Sequence, residues 1–357
     1  MSDIEKRRQG ILALVEQSDG NAAALAACAH LLLSVGDKSE AIVTAERAQA
    51  LAPDDDEIGA IVREIMSADV PNWHFVLVQD TVRNDAYEAA LRRAIYPGCR
   101  VLEIGTGTGL LAMMAARLGA SHVYTCEMEP AIANVANRVI AENGLAEQIT
   151  VISKRSQDIA PEELHGPVDI LVSEIVSNDM LNEAVLEVME DAVDRLVKPG
   201  GTIIPARGQV RVALGYYEGL EQSRMAEVSG FDLSAFNCLA PTSLQIPCGS
   251  RSLSLCSDIG DLFAFDFQSG GPWTDQRSEV TVSPHSGRSN GIAQWIALDM
   301  DDLGRYENRP SAGTQSCWAV MFHPFAQTVP RSTDPHEVLE ICGRHDRMGL
   351  RIWKKTP

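Results

Sequence analysis

A twelve-residue stretch, Arg100-Val-Leu-Glu-Ile-Gly-Thr-Gly-Thr-Gly-Leu-Leu111, constrains this chain more than any other. Residues 101–104 are apolar and β-prone, three glycines follow at alternate positions, and 110–118 is an apolar helix-forming run. The order is strand, glycine-rich turn, helix. Glycine at 105, 107 and 109 permits positive φ and removes the Cβ atoms that would hold a ligand off the backbone. The spacing is G-x-G-x-G and lacks the third glycine of G-x-G-x-x-G, so a pyrophosphate over the helix N-terminus is not the first expectation. Glu127 lies 18 residues after Gly109, at the end of the apolar run 121–126. That separation suits a carboxylate at the tip of the second strand, where it accepts from ribose hydroxyls. Two readings follow: a site for a nucleoside-containing cofactor, or a βα turn that only packs tightly.

The run 101–109 resembles the first motif of class I S-adenosylmethionine methyltransferases, whose cofactor carries no phosphate, in agreement with the missing glycine. The 357 residues suffice for two or three domains with a sizeable core. No run approaches the roughly 18 to 20 apolar residues of a membrane span, and residues 1–8 lack an apolar signal region. The sequence therefore predicts a soluble, cytoplasmic protein. Its eight cysteines include no C-x-x-C pair, which argues for reduced thiols and against a zinc site or disulfide framework. A net charge of -19 with no offsetting Lys/Arg cluster disfavours direct nucleic-acid or membrane partners and favours basic ligands. Much of that charge also serves solubility.

Residues 1–70 are rich in Ala, Leu and Glu and predict an α-helical region. Within it, 22–55 fits one 34-residue tetratricopeptide unit, with Gly36 at the turn, Ala41 and Ala48 at the helix crossing and Pro53 closing the second helix. Helices over 4–16 and 57–68 would cover it; the other reading is an unspecific helical hairpin packed on the main domain. Pro71 breaks the run and opens the second domain, 71–205. There Asp80, Arg83 and Tyr87 recur at helical spacing on one face. Helix 131–142, strand 149–153, strand 168–173 and helix 183–196, stopped by Lys198-Pro-Gly-Gly201, continue the alternation. The fold class is α/β: a doubly wound, mostly parallel Rossmann-like sheet, binding ligands beyond the carboxyl ends of its strands. The glycine loop, Glu127, the turn of Ser156, Gln157 and Asp158, and Glu174 all fall at such ends.

Past Pro205 the texture changes to short alternating runs at 208–214, 252–256, 262–267, 279–282, 292–298 and 317–322. Residues 206–357 predict an all-β domain, barrel or sandwich, interrupted by an amphipathic, partly helical arm at 215–238.

Chemistry concentrates in Ser173-Glu-Ile-Val-Ser-Asn-Asp-Met-Leu-Asn-Glu183. Glu174 follows a strand and Glu183, nine residues on, opens a helix, so the loop can turn both carboxylates toward one point. Two carboxylates facing one cation suit a guanidinium, whose planar fork takes bidentate, charge-assisted hydrogen bonds. Glu183 taken alone reads better as an acid stabilising a helix N-terminus; taken with Glu174, the paired reading prevails.

From about residue 72 onward the chain resembles the protein arginine methyltransferases. His74, Asp80, Arg83 and Tyr87 stand at the spacing of that family's first helix, Glu174 and Glu183 at that of its double-glutamate loop. Lys198-Pro-Gly-Gly-Thr-Ile-Ile-Pro205 and Gly230-Phe-Asp-Leu-Ser-Ala-Phe236 resemble its pre-barrel motif and part of its dimerisation arm. A tetratricopeptide-like N-terminus occurs in one branch. The resemblance implies S-adenosylmethionine as cofactor, held by Arg83 on its carboxylate with Asp80 orienting Arg83. Glu103, Gly105, Gly107, Gly109, Glu127 on the ribose, and Ser156, Gln157 and Asp158 at the adenine complete that set. It implies an arginine-containing protein or peptide substrate, held by the catalytic pair Glu174 and Glu183 and by Trp318, a homodimer, and a partner for the helical repeat. Two departures stand out. Ser316-Cys317-Trp318 takes the place of Thr-His-Trp, so Cys317 replaces a histidine supporting a loop carboxylate, and the paired-tyrosine motif is absent, with Trp73-His74-Phe75 nearest. His323 reads as a barrel-surface residue. A methyltransferase for another cationic substrate, or a degenerate partner-binding protein, are the competing readings.

Overall fold

A computed structural model describes residues 2–68, 70, 73–285, 288–329 and 338–355. The predicted break at Pro71 lies outside the described residues.

Four helices come first: α1 (Asp3–Gln17), α2 (Ala22–Ser34), α3 (Lys38–Leu51) and α4 (Asp56–Ser67). Each starts on a side chain that accepts from a free backbone N–H of the first turn: Ser2, Asn21, Asp37 and Asp55. Ala41, Ala45 and Ala48 are fully buried, and together with Leu25, Leu32, Ile58 and Ile65 they form a small core of its own.

Next come α5 (Trp73–Leu77) and α6 (Thr81–Ala94), then β1 (Arg100–Ile104), α7 (Leu110–Arg117), β2 (His122–Cys126), α8 (Pro130–Glu142) and β3 (Ile149–Ile152). After two short 3-10 turns, β4 (Val168–Ser173), α9 (Val185–Arg195) and β5 (Val197–Ile204) complete the sheet. Its order is β3-β2-β1-β4-β5, all parallel. The winding reverses between β1 and β4, and the crevice for a ligand opens beyond their carboxyl ends. Helices on both faces bury β1, β2 and β4 almost completely.

Helix α9 ends at Arg195, ahead of Lys198-Pro-Gly-Gly201 as expected, and that segment is itself part of β5. Proline survives there because β5 is an edge strand, and a Cβ at Gly201 would sit 2.9 Å from the Asp169 carbonyl of β4. Sequence patterning saw the breakers and missed the edge.

The remaining chain is β6 (Arg207–Tyr217), β7 (Glu227–Val228), β8 (Phe231–Asp232), β9 (Leu244–Ile246), β10 (Leu253–Leu255), β11 (Gly260–Asp266), β12 (Gln276–Val282), β13 (Ser289–Asp299), β14 (Arg305–Glu307), β15 (Val320–Val329), β16 (Leu339–His345) and β17 (Leu350–Lys354). A seven-stranded antiparallel sheet built on β6 and β13 curls into a barrel-like wall, with β12-β16-β17 as a second sheet. The run at 317–322 splits: Cys317 and Trp318 lie in a turn, and β15 starts at Val320. β9, β14, β16 and β17 were not legible as alternating runs. The arm at 215–238 holds no α-helix among the described residues; 3-10 turns at 218–223 and 234–239 flank the β7-β8 hairpin. No helix among the described residues is long and apolar enough to cross a membrane.

Candidate functional site

The glycine loop leaves β1 with its first two N–H groups, Gly105 and Thr106, donating to the Cys126 carbonyl of β2 at 3.0 and 3.1 Å. All three glycines have positive φ, but they face different surroundings. A Cβ at Gly105 would meet Ile175 of the double-glutamate loop at 2.9 Å, and one at Gly109 would meet Ile140 at 3.1 Å. Only Gly107 has nothing within 4 Å. Two of the three glycines thus also make room for the protein's own side chains, and the third, half-buried, leaves the space where its Cβ would stand open. Glu127, at the tip of β2, is buried, with one carboxylate oxygen accepting from Gly107 N and the other from Glu129 N, each at 3.1 Å.

Glu103 is not at the open edge. It points into the protein beneath the loop, 1% exposed, accepting from Thr125 Oγ1 at 2.6 Å. Burial pushes its carboxyl up to about 8, so it is neutral at pH 7. A carboxyl whose folded value is raised favours the folded state at low pH and loses that advantage as pH rises through about 8. Glu103→Gln should therefore flatten the fall in melting temperature between about pH 5 and pH 8, the interval from the carboxyl's ordinary value to its raised one. Parallel melting curves for both proteins across that range would refute this placement of the charge.

The turn of Ser156, Gln157 and Asp158 follows β3 as predicted. Arg195 of α9 holds it from behind by donating to the carbonyls of Ser156, Gln157 and Ile159. Ser156 is buried, Asp158 is exposed, and Gln157 Nε2 is buried with no partner.

Asp80 caps α6, one oxygen accepting from Arg83 N. Its other oxygen takes Tyr306 O–H at 2.6 Å and Cys317 N–H at 3.0 Å, both from the β-rich half. Asp80 thus fixes the backbone at Arg83 and does not touch the guanidinium. Asn84 does: its Oδ1 accepts from Arg83 Nε and Nη2 at 3.2 and 2.8 Å. Tyr87 is fully buried and donates to the Ser173 carbonyl. Arg83 is 2% exposed, and its Nη1 lies 3.0 Å from Glu174 Oε2. Two residues assigned to different ligands are paired with each other here.

The loop carrying Glu174 is braced from the barrel-like wall. Trp318 Nε1 donates to the Val176 carbonyl at 3.0 Å, Ala319 N to Asn178 Oδ1 at 2.8 Å, and Gln294 Nε2 to the Asn178 carbonyl at 3.1 Å. Trp318 is 4% exposed; it props the loop from behind, which corrects its assignment to substrate contact. Glu174 keeps Oε1 buried without a hydrogen-bond partner. Burial pushes its carboxyl up to about 8 against the pull of Arg83, and the charge of Glu183 adds to the rise. Glu183 is exposed and does not open the helix: Ala184 intervenes with φ +56°, and α9 starts at Val185. Burial raises the Cys317 thiol well above its usual range, beside Arg83, Glu174 and Asp80. His323 is half-buried, with its Nε2 enclosed and without a partner, and burial lowers the ring to about 4. Asn84, Gln294 and Tyr306 were missed; no local spacing marks any of them.

These groups converge on one sheet edge, and comparison with known proteins gives the edge a family. An arginine N(omega)-methyltransferase of Streptomyces achromogenes subsp. streptozoticus is 35% identical over 285 residues, covering 79% of this chain and 78% of that one. The chain belongs to the arginine methyltransferase family. The family model for ribosomal protein L11 methyltransferase (PrmA) also matches residues 88–207. Protein arginine N-methyltransferase 9 of Xenopus laevis is 28% identical over 84% of this chain, which spans only 40% of that longer arginine methyltransferase. Among solved structures, the Trypanosoma brucei PRMT1 enzyme-prozyme heterotetrameric complex with AdoHcy aligns with a TM-score of 0.70 at 20% identity, over 81% of this chain and 98% of that one. Arabidopsis thaliana protein arginine methyltransferase 10 aligns at 0.63 with 18% identity, over 78% and 95%. This arginine methyltransferase therefore shares their fold.

Proposed function

We propose that this protein transfers a methyl group from S-adenosylmethionine to a guanidinium nitrogen of arginine in a protein or peptide. The observation that carries this reading is Glu174: a buried carboxyl group with one oxygen on Arg83 and the other, Oε1, without a partner, in the loop that also bears Glu183, so that an incoming guanidinium would favour its ionised form. A buried acceptor left unmade costs about 1–3 kcal/mol, which a guanidinium donor would remove.

The residues fit the cofactor. Open backbone at Gly107, the Glu127 carboxylate beside it and the orphan Gln157 Nε2 offer an acceptor for ribose hydroxyls and a donor for adenine. Arg83 offers its guanidinium to a carboxylate. When bound, S-adenosylmethionine supplies a methyl on a positively charged sulfur that is already a good leaving group. The protein's task is then alignment. Arginine, with a pKa above about 12, cannot be deprotonated in advance. Glu174 and Glu183 hold the substrate guanidinium by charge-assisted hydrogen bonds and draw its positive charge away from the attacking nitrogen. A carboxylate oxygen then accepts the proton released there.

We also assign 1–70 to a tetratricopeptide-like helical region, 71–205 to the cofactor domain and 206–357 to a substrate-binding barrel. The arm leaves Phe231 70% and Phe236 60% exposed, which supports a homodimer built on it. A solution mass of one chain would remove that assignment.

The direct test incubates the protein with methyl-labelled S-adenosylmethionine and an Arg/Gly-rich peptide, beside the same peptide with Lys for Arg. Label in the Arg peptide alone is the expected result. Label in the Lys peptide would indicate another cationic substrate, and no label a partner-binding protein without catalysis.

A further inference from the structure

Among the described residues, the N-terminal helices meet the cofactor edge at the start of α8. Leu33, Ile42 and Met66 line a small cleft opposite Glu129, Pro130 and Ala131, the residues that start α8. Ala131 packs onto the apolar core of the N-terminal helices, and Arg138 further along α8 lies 3.5 Å from Glu46 of α3. The start of α8 is also what holds Glu127. Glu129 N donates to Glu127 Oε1, and only the exposed Met128 separates the two residues. Glu129 makes no side-chain cap on α8, and Pro130 follows it directly. The direction of the Glu129 N–H is therefore set by where α8 begins, and the N-terminal helices pack against that beginning.

We propose that the N-terminal helical region is a positioning element for Glu127, fixing cofactor affinity through Pro130 and Ala131. The proposal rests on the reading of Glu127 as the ribose ligand. It assigns the helices a role in the enzyme's own site, whatever else they bind. Glu127 has two oxygens and two backbone donors, one from the glycine loop and one from α8. Shifting the start of α8 turns the carboxylate away from the ribose while leaving Glu174, Glu183 and their braces on the far side of the edge in place. The signature is a change in cofactor affinity without a matching change in turnover at saturation.

The test uses the full chain. Met66→Glu and the milder Met66→Ala disturb the cleft; Leu14→Glu, on the exposed side of α1, is the control for altering the same region elsewhere. Affinity for S-adenosylmethionine is measured by calorimetric titration and kcat at saturating cofactor, in wild-type and Glu127→Ala backgrounds. We expect Met66→Glu to weaken binding about 10-fold and Met66→Ala about 3-fold, with kcat within about 2-fold and Leu14→Glu unchanged. In the Glu127→Ala background the Met66 changes should have less than about a 2-fold effect, because the group they position is gone. Equal losses in both backgrounds would reveal a general destabilisation and overturn the proposal, as would unchanged affinity in both Met66 variants while Glu127→Ala binds weakly. If Glu127→Ala itself binds normally, the ribose assignment fails first and the proposal falls with it.

Discussion

Glu174→Gln should lower methyl transfer about 10³-fold while leaving S-adenosylmethionine affinity within a few-fold. Glutamine fills the same space, and its amide oxygen can still accept from Arg83, so the loop and its braces on Trp318 and Gln294 survive. What is lost is the carboxyl that would ionise against the proposed substrate cation. The amide can neither localise the guanidinium charge away from the attacking nitrogen nor accept its proton. Glu183→Gln should show the same split, because the two carboxylates act on one group and their effects are not additive. Single-turnover labelling with the Arg/Gly-rich peptide measures the transfer step apart from product release. Methylation at the wild-type rate in both variants would end the assignment of this pair.

Arg83→Ala carries the second large effect, and it acts on both stability and binding. Loss of the guanidinium removes the carboxylate contact proposed for the cofactor, which should weaken S-adenosylmethionine binding about 100-fold. It also leaves Glu174, 8% exposed at its side chain, without its cation. Breaking a buried pair this way costs about 3–5 kcal/mol if the remaining group stays ionised. Here the cost should be smaller, because Glu174 is already pushed up to about 8 and can take a proton instead. The destabilisation should therefore grow as pH rises above about 8, where wild-type Glu174 ionises beside Arg83 and the isolated carboxyl, without that pull, does not. Pairing Arg83→Ala with Glu174→Gln separates the two roles: stability should return and cofactor binding should not. If the double variant regains binding, Arg83 serves only to neutralise its neighbour.

The parts of the site that could be read from sequence are those made by neighbours in the chain. The strand, glycine turn and helix over 100–118 are a local pattern, and Glu127 follows at the interval that one helix and one strand dictate. The spacing of Glu174 and Glu183 located the loop, although not the extra residue in positive φ that delays α9 to Val185. Contacts across the fold left no such trace. Tyr306 reaches Asp80 from 226 residues away, and Trp318 reaches Val176 from 142. Nothing in the local composition around either aromatic residue marks it as a prop rather than a surface contact. β5 was hidden for a different reason, since its proline and glycines carry the signature of a turn and only its position at the sheet edge makes them tolerable.

The Asp80 carboxylate ties the first turn of α6 to the turn at Cys317 and to Tyr306 of β14 with three donors on two oxygens. Swinging the barrel-like wall away from the cofactor edge would remove both donors from Oδ2 and leave only Arg83 N on Oδ1, a cost of about 1–3 kcal/mol where Oδ2 finds no other donor. The wall and the helix that presents Arg83 consequently behave as one mechanical body. Heat should melt them in a single cooperative step, and tension applied to the wall would be felt first at the cap of the helix that carries Arg83.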